Sequence, residues 1–347
     1  MDVTRRRILQ GLGGLLGSSL WPNLTMASTA SQLSMFGQVP SAAKAQRLIS
    51  AGAPADMLLL ALAPERLLGL ASFDLGGDYP WLSNKLTALP KLGRLAGRSS
   101  TLSLEQLLAL KPDLIIDCGT VNDTFRSTAE RIVAQTGIPY LLVSGKLADS
   151  AAQLRQTGAV LGADARAEQL AQIAEHILAE AAHFADARGR QLSFYAARGA
   201  RGLETGVAGS LHTEAIELLG LRNVASAEHQ RGLAPVSMEQ LLLWQPDIII
   251  TQEPSTWQHI QTSPQWQGLK AVQQQQVLLL ARFPFGWFDS PPGINRLLGI
   301  RRLQAYLDPS LQAGFKAEMQ QFFAAFYHSE LSDAHYQQLV EPQLVNA

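Results

Sequence analysis

The segment after the apolar run 277–280 carries the residues best suited to holding a ligand. Residues 282–288 read RFPFGWF, so four aromatic rings and a guanidinium fall within seven positions. Aromatic stacking and arginine contacts suit a large, partly apolar, anionic ligand. The alternative is that Phe283 and Phe288 only pack the edge of the fold.

Other candidate contacts follow the remaining apolar runs of the chain. In open parallel sheets, ligands meet the loops beyond the carboxyl ends of the strands. A lone histidine in such a loop is alternatively a plain hydrogen-bonding residue. The predicted ligand contacts are Phe73, Tyr79, Trp81, Thr120, Arg198, His212, Trp257, Arg282, Phe285 and Trp287.

Motifs of the common enzyme classes are missing from the sequence. The glycine-rich run 11–17 follows no apolar strand, so it does not fit a dinucleotide site. There is no P-loop, G-x-S-x-G or H-E-x-x-H motif, and the seven histidines lack the spacing of a zinc site. Cys118, the single cysteine, fits a small buried hydrophobe better than a catalytic thiol. We therefore expect no catalytic residue, no cofactor and no metal site made by the chain alone.

A duplicated sequence segment predicts the helices and strands that must position these residues. Residues 103–117 read SLEQLLALKPDLIID and residues 237–251 read SMEQLLLWQPDIIIT, with nine of fifteen positions identical. Each copy predicts a serine-capped helix, a Pro-Asp stop and a strand buried on both faces. Two such units indicate two related α/β lobes, and a cleft between lobes is a usual place for a ligand.

Alternating apolar runs and helical patterns extend this architecture along the chain. Strands are predicted at 47–50, 66–71, 114–117, 140–143, 191–196 and 277–280, and helices at 55–62, 124–135, 291–307 and 311–327. From Ala163 onward, apolar spacing predicts one helix of about 25 residues without a flexible linker. The expected fold is α/β, with two Rossmann-like lobes of mainly parallel sheets joined by one long α-helix.

The domain boundaries follow from these patterns. Residues 1–30 are expected to be a twin-arginine export signal, because Arg5–Arg7 precede a short glycine-rich apolar stretch and small residues. Cleavage is expected near Ala27 or Ala30, which would deliver the protein to the periplasm. The predicted units are then an amino-terminal lobe at 40–148, a connecting helix at 149–188 and a carboxyl-terminal lobe at 189–345.

Composition limits the possible partners. The chain has 347 residues, of which 47% are hydrophobic and 16% charged, so it can bury a large core. Its formal net charge of −1 argues against a nucleic-acid ligand, which needs a basic face.

At the level of motifs, the chain resembles a known family over roughly residues 45–310. The segments SLEQLLALKPDLII and SMEQLLLWQPDIII, the PKLGRL before the first copy and the single long connecting helix resemble the iron-chelate and cobalamin class of periplasmic substrate-binding proteins of ABC transporters. This resemblance implies a monomeric receptor without enzymatic activity. It also implies that Glu105 and Glu239 dock against basic residues of an inner-membrane permease.

The ligand is less defined by the resemblance. The segment GWFDSPPGINR at 286–296 resembles a subgroup that includes molybdate or tungstate binders as well as presumed iron-chelate binders. A ferric chelate of the siderophore type is the expected ligand, with cobalamin, haem or a bare oxyanion as alternatives. The competing class is an exported enzyme that carries a cofactor.

Overall fold

The two copies of the duplicated segment build equivalent elements in two different sheets. The structure is a computed structural model that describes residues 31–344 apart from 77–78, 97–99, 188–191, 227–231 and 282–284; for 341–344 it describes the backbone alone. The export signal expected at 1–30 and the predicted contact Arg282 lie outside the described residues.

The first lobe is a four-stranded sheet with strand order β1-β4-β3-β2. Strands β2, β3 and β4 are parallel, and β1 pairs antiparallel with β4. The strands are β1 (Leu33–Phe36), β2 (Leu48–Ser50), β3 (Leu114–Gly119) and β4 (Tyr140–Ser144), and the helices are α1 (Ala53–Leu62), α2 (Asn84–Thr87), α3 (Leu104–Leu110) and α4 (Asp123–Thr136).

Two helices lead from the first lobe to the second. Helix α5 (Ser150–Leu161) ends at Gly162, which has a φ of 64°, and α6 (Asp164–Ala187) follows at once. The 24 residues of α6 span about 36 Å at about 1.5 Å per residue. Helix α6 packs against α5 and α1.

The second lobe repeats the design of the first. Its main sheet has the order β10-β9-β5-β7 with parallel pairing throughout, and β6 and β8 form a separate antiparallel pair. The strands are β5 (Ser193–Ala197), β6 (Glu204–Gly206), β7 (Arg222–Asn223), β8 (Leu233–Pro235), β9 (Ile248–Thr251) and β10 (Val277–Leu279). The helices are α7 (Glu214–Glu217), α8 (Met238–Trp244), α9 (Pro254–Thr262), α10 (Lys270–Gln273), α11 (Arg296–Leu307), α12 (Gln312–Phe326) and α13 (Asp333–Leu344). Helix α11 also contacts α6.

The repeated serine and aspartate have the same structural roles in both lobes. Ser103 and Ser237 cap α3 and α8 by accepting hydrogen bonds from the third helical N–H, at 3.1 Å and 3.2 Å. Asp113 accepts a 2.9 Å hydrogen bond from the N–H of Arg47, and Asp247 one of 2.8 Å from the N–H of Ser193. Each aspartate therefore fixes the start of the neighbouring parallel strand.

The core runs along both faces of the two sheets. In β3 and β9, alternate side chains enter different clusters: Ile115 and Ile249 pack within their own lobes, whereas Ile116 and Ile250 join one cluster that extends through both lobes. The predicted architecture of two α/β lobes with mainly parallel sheets and one long connecting helix is confirmed.

The prediction of a strand at residues 66–71 is wrong. Pro64–Arg66 form a 3-10 turn, and the following residues make only isolated bridges, Leu67 with Leu48 and Leu70 with Lys91. The run changes partner at Gly69, where the carbonyl of Pro90 approaches too closely for any Cβ. Strand β1 was not predicted and belongs to the first sheet, ahead of the expected boundary at residue 40.

Candidate ligand-binding site

A pocket lies at the carboxyl ends of β5 and β9, where an open parallel sheet is expected to bind ligands. Its volume is about 60 Å³, and it is partly open to solvent. Apolar side chains, including Ile216, Ile250 and Phe288, form part of the wall. The polar side chains that line it are Arg198, His212, Thr251, Gln252, Glu253, Asp289 and Ser290.

A buried carboxylate organises the polar side of this pocket. The side chain of Asp289 is 5% exposed and forms an ion pair with the guanidinium of Arg198. Its other oxygen, Oδ1, lies 2.9 Å from Nδ1 of His212 and accepts a 2.8 Å hydrogen bond from the N–H of Ser290. Arg198 also lies 3.5 Å from a carboxylate oxygen of Glu204. Since Arg198 and His212 remain about a quarter exposed, both can reach a ligand.

Gln252 fixes the backbone that carries Asp289. Its side-chain oxygen accepts hydrogen bonds from the N–H groups of Trp287, at 2.5 Å, and Phe288, at 3.0 Å. Its side-chain amide donates a 3.1 Å hydrogen bond to the carbonyl of Asp289. The segment 287–289 is thereby attached to the end of β9. Sequence reasoning did not select Gln252 or Asp289, although Gln252 directly follows the repeated strand.

Among the described residues that line the pocket, the carboxylates outnumber the permanent cations. Arg198 is the guanidinium in the lining, while Asp289 and Glu253 are both carboxylates. Counted without the imidazole of His212, these three side chains carry a formal charge of −1. Such a pocket favours a ligand with a positive centre over a bare dianion.

Two of the predicted contacts, Arg198 and His212, come together in the pocket. Phe285 and Trp287 are each 3% exposed and lie in the core. The indole N–H of Trp287 donates to the carbonyl of Ala281 at 3.0 Å, and the Arg302 guanidinium lies 6.0 Å from its ring.

The other predicted aromatic residues lie elsewhere. Phe73 of the first lobe meets Phe285 of the second with ring centroids 5.0 Å apart, so these two rings join the lobes. Tyr79 and Trp81 pack together on the core at 6.1 Å. Trp257 packs against the hydrophobic cluster that is formed by second-lobe residues alone, and its indole N–H donates a 3.1 Å hydrogen bond to the carbonyl of Val277. Thr120 is exposed directly after β3.

Two buried carboxylates occupy the first lobe after β2 and in β3. Burial raises the pKa of Asp56 to about 7, although Ser50 and the N–H groups of Ala71 and Ser72 donate hydrogen bonds to it. Burial also raises the pKa of Asp117 to about 6, against a 2.9 Å hydrogen bond from the hydroxyl of Tyr140. Asp56 thus positions the backbone next to Phe73.

In the described part of the chain, no group of three His, Cys, Asp or Glu side chains could hold a metal ion. Among the same residues, no helix is both long enough and apolar enough to span a bilayer.

Comparison with known proteins agrees with this architecture. No curated protein sequence is detectably similar to the chain. A solved ABC transporter solute-binding protein from Sulfurospirillum deleyianum is 28% identical, with a TM-score of 0.76 over 85% of this chain and 94% of that one. The molybdate-bound periplasmic protein MolA of Haemophilus influenzae is 21% identical, with a TM-score of 0.66 over 85% and 96%.

A third solved structure, CeuE of Helicobacter pylori in a nickel–histidine complex, is 18% identical, with a TM-score of 0.65 over 88% of this chain and 95% of that one. The model of the periplasmic binding protein family matches residues 79–282, which is more than half of the chain. The protein therefore belongs to the periplasmic binding proteins, the solute receptors of ABC transporters.

Proposed function

We propose that this receptor captures a ferric chelate at the pocket after β5 and β9 and delivers it to an inner-membrane ABC importer. The observation that carries the proposal is the 2.9 Å contact between Nδ1 of His212 and the buried carboxylate of Asp289. Histidines that bind metals usually donate their other ring N–H to a carboxylate, which orients the ring and raises its basicity. His212 would complete the coordination of a metal that arrives with its own chelator.

The charge of the pocket supports a metal-bearing ligand. Arg198 can contact an anionic group of the chelator, while the negative charges of Asp289 and Glu253 favour the positively charged metal centre. A volume of about 60 Å³ holds only a few water molecules or one edge of a ligand. Most of the chelate would therefore lie outside the mouth of the pocket. The predicted contacts of Phe73, Tyr79, Trp81, Thr120, Trp257, Arg282, Phe285 and Trp287 stay predictions.

The second candidate is a bare oxyanion such as molybdate or tungstate, which the small volume of the pocket favours and the formal charge of its lining disfavours. Arg198 would then be the main contact. Haem and cobalamin remain larger alternatives on the same scaffold, and His212 would be the side chain that contacts their metal.

Titration calorimetry with the purified protein tests these ligands directly. The panel is ferric citrate, a ferric catecholate, molybdate, haemin and cyanocobalamin. We expect a ferric chelate to bind most tightly and His212→Ala to weaken it at least tenfold, while His176→Ala on the exposed side of α6 changes nothing. Tight molybdate binding without ferric chelate binding contradicts the chelate, and measurable turnover of any ligand contradicts the receptor.

Delivery to the permease is proposed to use Glu105 and Glu239. Both are exposed in the first turns of α3 and α8, the equivalent helices of the two lobes. Charge reversal to Lys at both positions is expected to abolish uptake in cells and leave ligand affinity unchanged. Glu130→Lys, an exposed reversal on α4, is the control. Normal uptake by the double variant would exclude this docking role.

Export is proposed to follow the twin-arginine route, with cleavage near Ala27 or Ala30, and the mature receptor is proposed to act as a monomer. Mass spectrometry of the periplasmic protein gives its amino terminus, and light scattering gives its mass. An intact amino terminus in the periplasmic fraction contradicts cleavage. Unchanged export after Arg5→Lys and Arg6→Lys contradicts the twin-arginine route.

A further inference from the structure

Arg296, the first residue of α11, is a buried cation at the contact between the lobes. It is 1% exposed, and its guanidinium donates four hydrogen bonds. Three of them stay within the second lobe: to the carbonyl of Gly293 at 2.9 Å, the carbonyl of Leu211 at 2.6 Å and the carboxylate of Glu214 at 3.0 Å. The fourth crosses to the first lobe and reaches the carbonyl of Gly145 at 2.9 Å.

Glu214 makes the matching contact in the same direction. Its second oxygen accepts hydrogen bonds from the N–H groups of Leu147, at 2.8 Å, and Ala148, at 3.3 Å. Both amides belong to the segment that follows β4 in the first lobe. The Arg296–Glu214 pair therefore holds two donors and one acceptor of that segment at once, and its charges balance each other.

The first-lobe segment that contacts the pair is itself held in place by the neighbouring strand β3. A Cβ atom at Gly145 would lie 2.5 Å from the Cα of Gly119, the last residue of β3. The N–H of Gly145 also donates a 2.8 Å hydrogen bond to the carbonyl of Gly119. The segment after β4 is thus fixed to the neighbouring strand, and so is the carbonyl that Arg296 contacts.

Arg296 and Glu214 are both close in sequence to side chains that line the ligand pocket. His212 lies between Leu211 and Glu214, the two residues that Arg296 holds through Nη1. Asp289, which orients His212, lies seven residues before Arg296 in the segment leading to α11. A movement of the first-lobe segment would therefore be transmitted to His212 through Arg296.

We propose that Arg296 and Glu214 are positioning residues that tie the His212 segment to the first lobe, so that His212 is placed correctly only while the lobes are in contact. Neither residue lines the pocket. The effect on affinity rests on the proposed function, in which His212 binds the ligand. The contact of Arg296 and Glu214 with the first lobe is independent of the proposed function.

The test uses Arg296→Lys and Glu214→Gln in the full receptor. Arg301→Lys is the matched control, because Arg301 is also a buried arginine of α11 paired with a glutamate, Glu318 at 2.6 Å, and its guanidinium hydrogen bonds go to Glu318 of α12 and Gln304 of α11. Thermal melting establishes that each variant folds. If Arg296→Lys does not fold, Glu214→Gln alone decides the outcome, since Glu214 is partly exposed.

Two readouts need no ligand. Hydrogen exchange of the Leu147 and Ala148 amides is expected to quicken at least tenfold in the folded variants and stay unchanged in the control. The imidazole NMR signals of His212, assigned with His212→Ala, are expected to shift in the same variants only. Unchanged exchange or unchanged His212 signals in a folded variant would overturn the proposal.

Ferric citrate titration is the third readout. The affinity of the receptor for ferric citrate is expected to fall at least tenfold in Arg296→Lys and in Glu214→Gln. The double variant is expected to lose no more affinity than the weaker-binding single variant, because the two residues act as one unit. Failure of the unaltered receptor to bind any ferric chelate counts against the proposed function alone. Binding by the variants at full strength counts against the positioning role.

Discussion

Nδ1 of His212 lies 2.9 Å from Oδ1 of Asp289, and the carboxylate that makes this contact is almost completely buried. The pair holds an imidazole in the lining of the pocket, in an orientation that the contact with Asp289 fixes. The proposed ligand chemistry depends on this orientation more than on the aromatic residues nearby.

Asp289→Asn separates the two ligand candidates by the sign of its effect. Loss of the carboxylate makes His212 less basic, so affinity for a ferric chelate should fall about tenfold or more. Loss of a negative charge should instead strengthen binding of molybdate. Calorimetry on both ligands measures this, with the exposed Asp186→Asn as control. Stronger binding of molybdate together with unchanged chelate binding would reverse the assignment.

Asp56 should make the stability of the protein depend on pH. Burial raises the pKa of its carboxyl from 3.8 to about 7. The folded protein therefore holds a proton that the unfolded chain releases at about pH 4, so the stabilisation is complete below about pH 4 and is lost as the pH rises to about 7. Over that range, the free energy of unfolding should fall by up to about 4 kcal/mol relative to Asp56→Asn.

Urea denaturation of the wild type and Asp56→Asn at several pH values measures this difference, because the other titrating groups are common to both proteins. A constant difference from pH 4 to 7 would show that Asp56 is ionised in the folded state throughout that range.

Gly158 should be intolerant of alanine because of the close packing of α5 on α6. A Cβ at this position would overlap the Cβ of Ala167. Gly158→Ala should lower the free energy of unfolding by about 1–3 kcal/mol, since overpacking outweighs the gain in helix propensity. In α12, the exposed Gly314 has only a carboxylate oxygen at 3.9 Å, so Gly314→Ala should be neutral or stabilising by up to about 1 kcal/mol. Equal effects in denaturation experiments would contradict the close approach of the two helices.

The two capping serines should contribute equally to stability. Ser103→Ala and Ser237→Ala each remove a hydrogen bond to the third N–H of a helix, which costs about 1 kcal/mol. The two sites share no partners, so the double variant should show the sum in chemical denaturation. Ser127→Ala on the exposed side of α4 is the control and should change stability by less than about 0.5 kcal/mol. A large difference between the two caps would argue against their equivalence.

Local patterns in the sequence are sufficient for much of the fold. The duplicated segment predicts α3 with β3 and α8 with β9, because a capping serine, an apolar helix face and a Pro-Asp stop act within fifteen residues. The long helix is predicted as well, since its apolar spacing is continuous over α6. The 66–71 run fails because its residues pair with two different segments, and a local pattern does not contain that information.

The pocket was only partly predictable from the sequence. Arg198 and His212 were predicted as ligand contacts from their positions after strands, and both line the pocket, but the roles of Gln252, Asp289 and Arg296 depend on contacts with residues that are distant in the chain. Trp287 shows the opposite case. Its sequence context suggested a ligand surface, yet its ring is buried and lies near the Arg302 guanidinium of α11.

The amino-acid sequence by itself therefore determined most of the elements, the duplication and the family resemblance, because these depend on short-range spacing of side chains. The tertiary structure alone decided which loops meet at the pocket and which aromatic rings are buried. Burial and ion pairing are set by tertiary packing, and the residues that make those contacts are far apart along the chain.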